Sequence, residues 1–164
     1  MKEITIHAPG TVANLVCGFD VLGLCLSAPY DIMRVKLLDK KEVIIRTTDG
    51  FPLPTDPAMN TAGAPLLEML AGLDQEVGFE VIITKQIKPG SGIGSSAASA
   101  AGAVVAANEL LGNIFSREDL VRFAMFGEKV ASGVKHADNI APCIYGGVTL
   151  IRSIFPLDIV PIPT

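Results

Sequence analysis

Apolar and polar side chains alternate from Glu3 to Ala8, with Ile4, Ile6 and Ala8 on one side and Glu3, Thr5 and His7 on the other. A period of two is the signature of a half-buried strand. Pro9-Gly10 is expected to end it. Val21–Leu26 and Asp31–Leu38 read as strands flanking a turn at Ala28-Pro29, and Glu42–Thr47, rich in β-branched residues, reads as another. A proline-rich loop from Gly50 to Pro57 follows. The period then changes: Leu66, Leu67 and Leu70 mark one face of a helix over Asn60–Leu73, with Gly72 near its end. Phe79–Lys85 is a strand. Ser95–Leu111 is the strongest helix, closed by Gly112 and dominated by alanine, and Ser116 with Asp119 opens another that runs to about Ala131. Gly133–Pro142 is expected to be an ordered loop, and Gly146-Gly147 opens a strand through Arg152. The apolar segment 154–164 carries three prolines and reads as chain entering another unit.

Composition narrows the class. At 164 residues with 49% hydrophobic and 18% charged residues, the chain suits one soluble α/β domain with a real core. A net charge of −4 and the absence of tryptophan speak against a nucleic-acid surface. Cys17, Cys25 and Cys143 are an odd, scattered set, which fits a reducing cytoplasm better than a disulfide or zinc framework. The N-terminus has no apolar core of a signal peptide, and Ala97–Leu111 is too short and too polar to span a bilayer.

The chemistry concentrates in Lys88-Pro89-Gly90-Ser91-Gly92-Ile93-Gly94-Ser95-Ser96-Ala97-Ala98. Its three glycines let the backbone curl and turn amides inward, and the helix behind it adds unpaired N–H groups and a positive dipole end. Such a loop holds an anion, most often phosphate, and its serines offer hydroxyls to a phosphate or to Mg²⁺. A Walker-type loop would require Gly-Lys-Ser/Thr, which is missing. A dinucleotide fingerprint is formally matched by Gly92–Ala97, but it lies after several strands, and Phe115–Asp119 downstream is a helix start.

From Ile87 to Ala98 the loop resembles, nearly position for position, the phosphate loop of the GHMP small-molecule kinases, with Ile93 in place of the usual leucine. Ala8–Gly23, which contains Pro9-Gly10-Thr11-Val12-Ala13-Asn14 and Cys17-Gly18-Phe19-Asp20, resembles the N-terminal signature of the homoserine kinases within that superfamily. Gly127–Pro142, with Glu128 and His136-Ala137-Asp138-Asn139, is similar to a third stretch of the same enzymes. The three blocks span most of the chain in the family's order.

The resemblance implies an α+β fold, the two-layer α/β sandwich of ribosomal protein S5 domain 2 with a mixed or antiparallel sheet. Residues 1–153 would form the ATP-binding domain, and 154–164 would lead toward a C-terminal domain. It implies ATP-dependent phosphorylation of the L-homoserine side-chain hydroxyl, in threonine biosynthesis. ATP would lie on Lys88, Pro89, Gly90, Ser91, Gly92, Ile93, Gly94, Ser95, Ser96, Ala97 and Ala98, with Asn60 near the base. Mg²⁺ would lie on Ser96 and Glu128. Asp20 would hold the substrate ammonium, while Asn14, His136 and Asn139 orient the reacting hydroxyl. Bland roles exist beside each: turn caps for Asn14 and Asp20, a helix cap for Asn60, and a surface salt bridge with Lys129 or Arg122 for Glu128. A kinase acting on a mevalonate-type or sugar alcohol, and a non-catalytic module of the same fold, stay open, as does a homodimer. Homoserine kinases are about twice this length, so a chain of this extent is expected to be inactive alone.

Overall fold

The computed structural model describes residues 2–15, 17–47 and 51–163. Val16 of the N-terminal motif, Gly50 at the start of the proline-rich loop, and Thr164 lie outside the described residues, with Met1, Thr48 and Asp49. In chain order the elements are β1 (Glu3–Leu15), β2 (Gly18–Leu38), β3 (Val43–Thr47), a 3₁₀ turn (Pro57–Met59), α1 (Gly63–Ala71), β4 (Gly78–Thr84), α2 (Ser95–Leu110), α3 (Arg117–Ser132), α4 (Ile140–Tyr145), β5 (Val148–Ile154) and β6 (Leu157–Ile162). The strands form one mixed sheet in the order β3-β4-β2-β5-β6, with β1 paired to β2. Only β3 and β4 run parallel among these pairs.

The first two strands are longer than alternation alone predicts. Pro9-Gly10 and Ala28-Pro29 are bends inside β1 and β2, not ends. Among the described strands β1 pairs with β2 alone, so one side of it is free to take a residue without an N–H. The register jumps from Pro9↔Tyr30 to Thr11↔Cys25, leaving residues 26–29 of β2 against Gly10. That jump lets one strand serve two neighbours: Ile32–Leu38 pairs with β4, and Leu22–Leu24 pairs with β5.

The helices cover one face of the sheet. Met33, Val35, Phe79, Val81 and Ile83 are fully buried, each contributing roughly 1.5–3 kcal/mol of burial for the larger side chains. Helix α2 is apolar nearly all round and buried on most sides, as a helix without a polar face must be. Its small residues allow close approach: a Cβ on Gly102 would sit 2.5 Å from Met33 Sδ and 2.8 Å from Ala8 Cβ. Helix α3 begins at a full capping box, Ser116 with Asp119, and ends at Gly133 with φ 81°.

Two further expectations are corrected. The first long helix starts at Gly63, and its buried face is Leu66, Met69 and Leu70, while Leu67 is exposed. The expected loop 133–142 gives way to helix α4 from Ile140; Pro142 falls in the first turn, where a missing N–H costs no helical bond. The segment 154–164 does not leave the sheet at once: β6 within it pairs with β5, Pro161 lying opposite Thr149. No described helix is long and apolar enough to cross a membrane.

Candidate active site

The link from β4 to α2 takes its shape from alternating left-handed glycines: Gly90, Gly92 and Gly94 have φ of 75°, 79° and 65°. Alternation of this kind curls the backbone around its own amides. Gly94 is also the N-cap of α2 and has no side chain to cap it, so the first amides of the helix remain for a ligand. Not every serine does the same work. Ser95 Oγ donates to Ile87 O at 2.9 Å and ties the loop shut at its base. Ser96 Oγ donates to Glu128 Oε1 at 2.5 Å, across from α3.

Beneath the loop lies an anchor that sequence reading missed. The register of β2 with β4 pairs Ile32 with Thr84; one residue further, Asp31 and Lys85 form a buried ion pair. Lys85 Nζ also donates to Ser95 O at 2.6 Å and Ser99 Oγ at 2.9 Å, both on α2. Asp31 Oδ1 accepts from the backbone N–H of Gln86 at 2.8 Å and of Ile87 at 2.9 Å. The chain entering the loop and the helix leaving it are thus fastened to one pair. Burial pushes the Lys85 pKa down, and Asp31 pulls it back up. The signal was present in the alternation: Asp31 and Lys85 occupy the same face as Met33 and Val35, and as Val81 and Ile83, where a charge is out of place.

These elements enclose a pocket of about 520 Å³, lined by Gly90, Gly92, Gly94, Ser96 and Glu128, together with Asn14, Asn139 and Lys85. Pro89 and Ser95 belong to its loop wall, and Leu53, Thr61 and Ser132, which the sequence does not single out, line it as well. Lys88 and Ser91 are exposed and off the wall, the Ile93 carbonyl accepts from Thr11 N at 3.1 Å, and Ala97 and Ala98 are buried within α2. Glu128 is 8% exposed and makes no ion pair among the described residues; Arg122 is engaged instead with Glu118 and Asp119. The surface salt bridge is therefore not its role. Burial raises the Glu128 pKa, against the opposing pull of the Ser96 hydrogen bond. A buried carboxylate and a hydroxyl, both hard oxygen donors without a cation, fit the needs of Mg²⁺.

The other wall comes from the two remaining motifs. Asn14 and Asp20 adopt left-handed backbone, φ 60° and 55°, and Asn14 Oδ1 accepts from Asp20 N at 2.7 Å, so the motif folds back on itself. Asp20 lies 3.8 Å from His136 Nδ1; both are half-exposed beside the pocket and not on its wall. Asp138 is buried, with its carboxylate accepting from Asn139 N at 3.0 Å and its pKa raised by burial. Asn139, its neighbour, reaches the pocket. Asn60 does not: it is buried, its Nδ2 donating to Pro54 O and its Oδ1 accepting from the N–H groups of Ala62 and Gly63. It organises the entry to α1, and Thr61 beside it faces the pocket.

A family model described as the GHMP kinases N terminal domain matches residues 60–147, more than half of the chain. The chain belongs to the GHMP kinases. It is 44% identical over 164 residues to the homoserine kinase of Methanococcus maripaludis, across 99% of this chain and 54% of that protein. The crystal structure of homoserine kinase from Cytophaga hutchinsonii superposes with a TM-score of 0.91 at 48% identity, over 99% of this chain and 52% of that one. The mevalonate kinase of Methanococcus jannaschii gives a TM-score of 0.73 at 17% identity, over 99% and 56%, a likeness of fold alone. The α/β sandwich expected from the GHMP resemblance is the fold observed. The chain spans about half the length of the curated relatives it matches.

Proposed function

We propose that the chain is the nucleotide-binding half of a homoserine kinase, which transfers the γ-phosphoryl group of ATP to the side-chain hydroxyl of L-homoserine, giving ADP and O-phospho-L-homoserine on the way to threonine. One juxtaposition carries this reading: Ser96 at the first turn of α2 meets the buried Glu128, which has no ion-pair partner among the described residues, inside a pocket also lined by Asn14 and Asn139. The loop amides from Gly90 to Ser96 would hold the phosphates. Ser96 and Glu128 would hold Mg²⁺, which when bound neutralises charge on the phosphoryl oxygens.

In the transfer, the homoserine oxygen forms a bond to the γ-phosphorus as the bond to the β,γ-bridging oxygen breaks, ADP leaves with that oxygen, and the hydroxyl proton passes to solvent. The transition state is loose, so alignment and charge stabilisation count for more than a strong base. Asp20 offers its carboxylate to the substrate ammonium, with His136 beside it, while Asn14 and Asn139 align the hydroxyl. The Asp138 carboxylate accepts from the Asn139 backbone amide, and this reading assigns it no role as a base. The same reading takes residues 1–153 as the ATP-binding domain, with 154–164 leading from the sheet toward a C-terminal domain. It includes a cytoplasmic location, supported by three free cysteines, and is compatible with a homodimer. By itself the chain is expected to turn over no substrate.

The test is an ADP-release assay on the complete gene product with homoserine, threonine, serine and mevalonate. Homoserine-dependent release is expected. Release with mevalonate alone would move the protein to the polyol branch, and no alcohol-dependent release would make it a binding module.

A further inference from the structure

We infer that Thr11 is the positioning residue that holds the Asn139 amide with its nitrogen toward the pocket, an inference that rests on the phosphotransferase reading above. Thr11 lies on β1 and is fully buried. Its hydroxyl donates to Asn139 Oδ1 at 2.8 Å, across 128 residues of sequence. Its backbone N–H donates to Ile93 O, inside the phosphate loop, at 3.1 Å. A Cβ on Gly94 would lie 2.1 Å from Thr11 Oγ1 and 3.1 Å from Asn139 Oδ1, so the loop closes directly over this hydrogen bond. Three segments therefore meet at Thr11: the strand, the phosphate loop through the backbone N–H, and the N-terminus of α4 through the hydroxyl.

The consequence is one of orientation. An asparagine side chain has a carbonyl oxygen and an NH₂ group of similar shape, and packing alone hardly distinguishes them. A hydroxyl that donates does distinguish them: it takes the oxygen. The Asn139 NH₂ makes no hydrogen bond to another described residue, and the side chain lines the pocket. What it offers there is a donor. Phosphoryl and alcohol oxygens accept from such a donor, whereas a carbonyl in the same place would repel the negative oxygens of the transferring group. Serine at position 11 would preserve this bond; valine, close in shape, would not.

The experiment compares Thr11→Val, Thr11→Ser and Asn139→Ala in the complete gene product with Mg·ATP and homoserine. Thr11→Val is expected to lower kcat roughly tenfold, the worth of one neutral hydrogen bond, with KM for both substrates within about twofold of wild type. Thr11→Ser should restore most of the loss, and Thr11→Val should cost nothing further in the Asn139→Ala background. Wild-type kcat in Thr11→Val, an equal fall in Thr11→Ser, or effects that multiply in the double variant would overturn the inference. A second readout does not depend on turnover: the ¹H–¹⁵N signals of the Asn139 side chain in the complete gene product, for wild type, Thr11→Ser, Thr11→Val and the smaller Thr11→Ala. One amide pair in wild type and Thr11→Ser, and a shifted or split pair in the other two, is expected. An unchanged pair in Thr11→Val or Thr11→Ala overturns the assignment, even if wild type phosphorylates homoserine. Absence of homoserine turnover with the expected spectra would instead remove the proposed substrate and leave the Thr11 bond standing.

Discussion

The two walls of the pocket are built in opposite ways. The phosphate-loop wall is fastened from below by the buried Asp31–Lys85 pair, by four further hydrogen bonds from its members, and by Ser95 to Ile87. The motif side, lined by Asn14 and Asn139 with Asp20 and His136 beside the pocket, is half-exposed, and its close charge pair among the described residues is 3.8 Å apart. A loop that must present amides to a triphosphate has to be rigid before the ligand arrives, because reorganisation at that point would be lost from binding. A wall that admits an amino acid can stay solvated and hold its charges loosely, since exposed pairs contribute little to stability. On the proposed function, stability and acceptor recognition are therefore separable in this molecule.

The sharpest way to break that contrast is Lys85→Met. It leaves Asp31 charged and buried, and is expected to cost about 3–5 kcal/mol of folding stability, measured by urea unfolding; a loss below about 1 kcal/mol would mean the loop is not held by this pair. Next is Glu128→Gln, expected to lower Mg·ATP-dependent turnover of the complete protein by 10²-fold or more, about 2.7 kcal/mol, while the fold is kept.

Glu128 also has a pH signature. Its folded pKa is raised, so the folded chain binds its proton more tightly than the unfolded chain does. Stability without ligand must then fall as pH rises from the ordinary carboxylate range through the raised folded value. Glu128→Gln should flatten part of that fall in unfolding experiments across pH. Asp138, raised for the same reason, supplies a remainder. A slope identical to wild type would show that the carboxylate is not penalised by burial.

On the looser wall, Asp20→Asn should raise KM for homoserine roughly tenfold, about 1.4 kcal/mol, and leave KM for ATP unchanged. Equal losses for both substrates would erase the distinction between the walls. The smallest effect is expected from Ser116→Ala, which removes the capping box of α3 remote from both walls and should cost about 1 kcal/mol of stability without altering either KM.

Much of this was legible in the residue order, and the exceptions are instructive. The glycine loop, the helix behind it and the Ser116 cap were readable because backbone conformation and helix starts are set by neighbours within a few residues. Helix α4 was missed because Pro142 looks like a breaker until its place in the first turn is known. The bends of β1 and β2 were taken for ends, since a proline is compatible with a strand only where its missing donor faces no partner. Asn60 could be read as a pocket residue or a cap; it is off the pocket wall, and its Oδ1 accepts from Ala62 N and Gly63 N at the entry to α1.

Residue order alone determined a glycine turn before a buried helix and the family to which the chain belongs, and it named the candidates Ser96, Glu128, Asn14 and Asn139. Folding in three dimensions decided which partner each polar group keeps: Lys85 with Asp31, 54 residues away, Glu128 with Ser96, 32 away, and Asn139 with Thr11, 128 away. Such choices depend on strand register and on which faces pack together. Short-range propensity carries no information about either, and a buried polar group pays too much when unpaired for the choice to be left open.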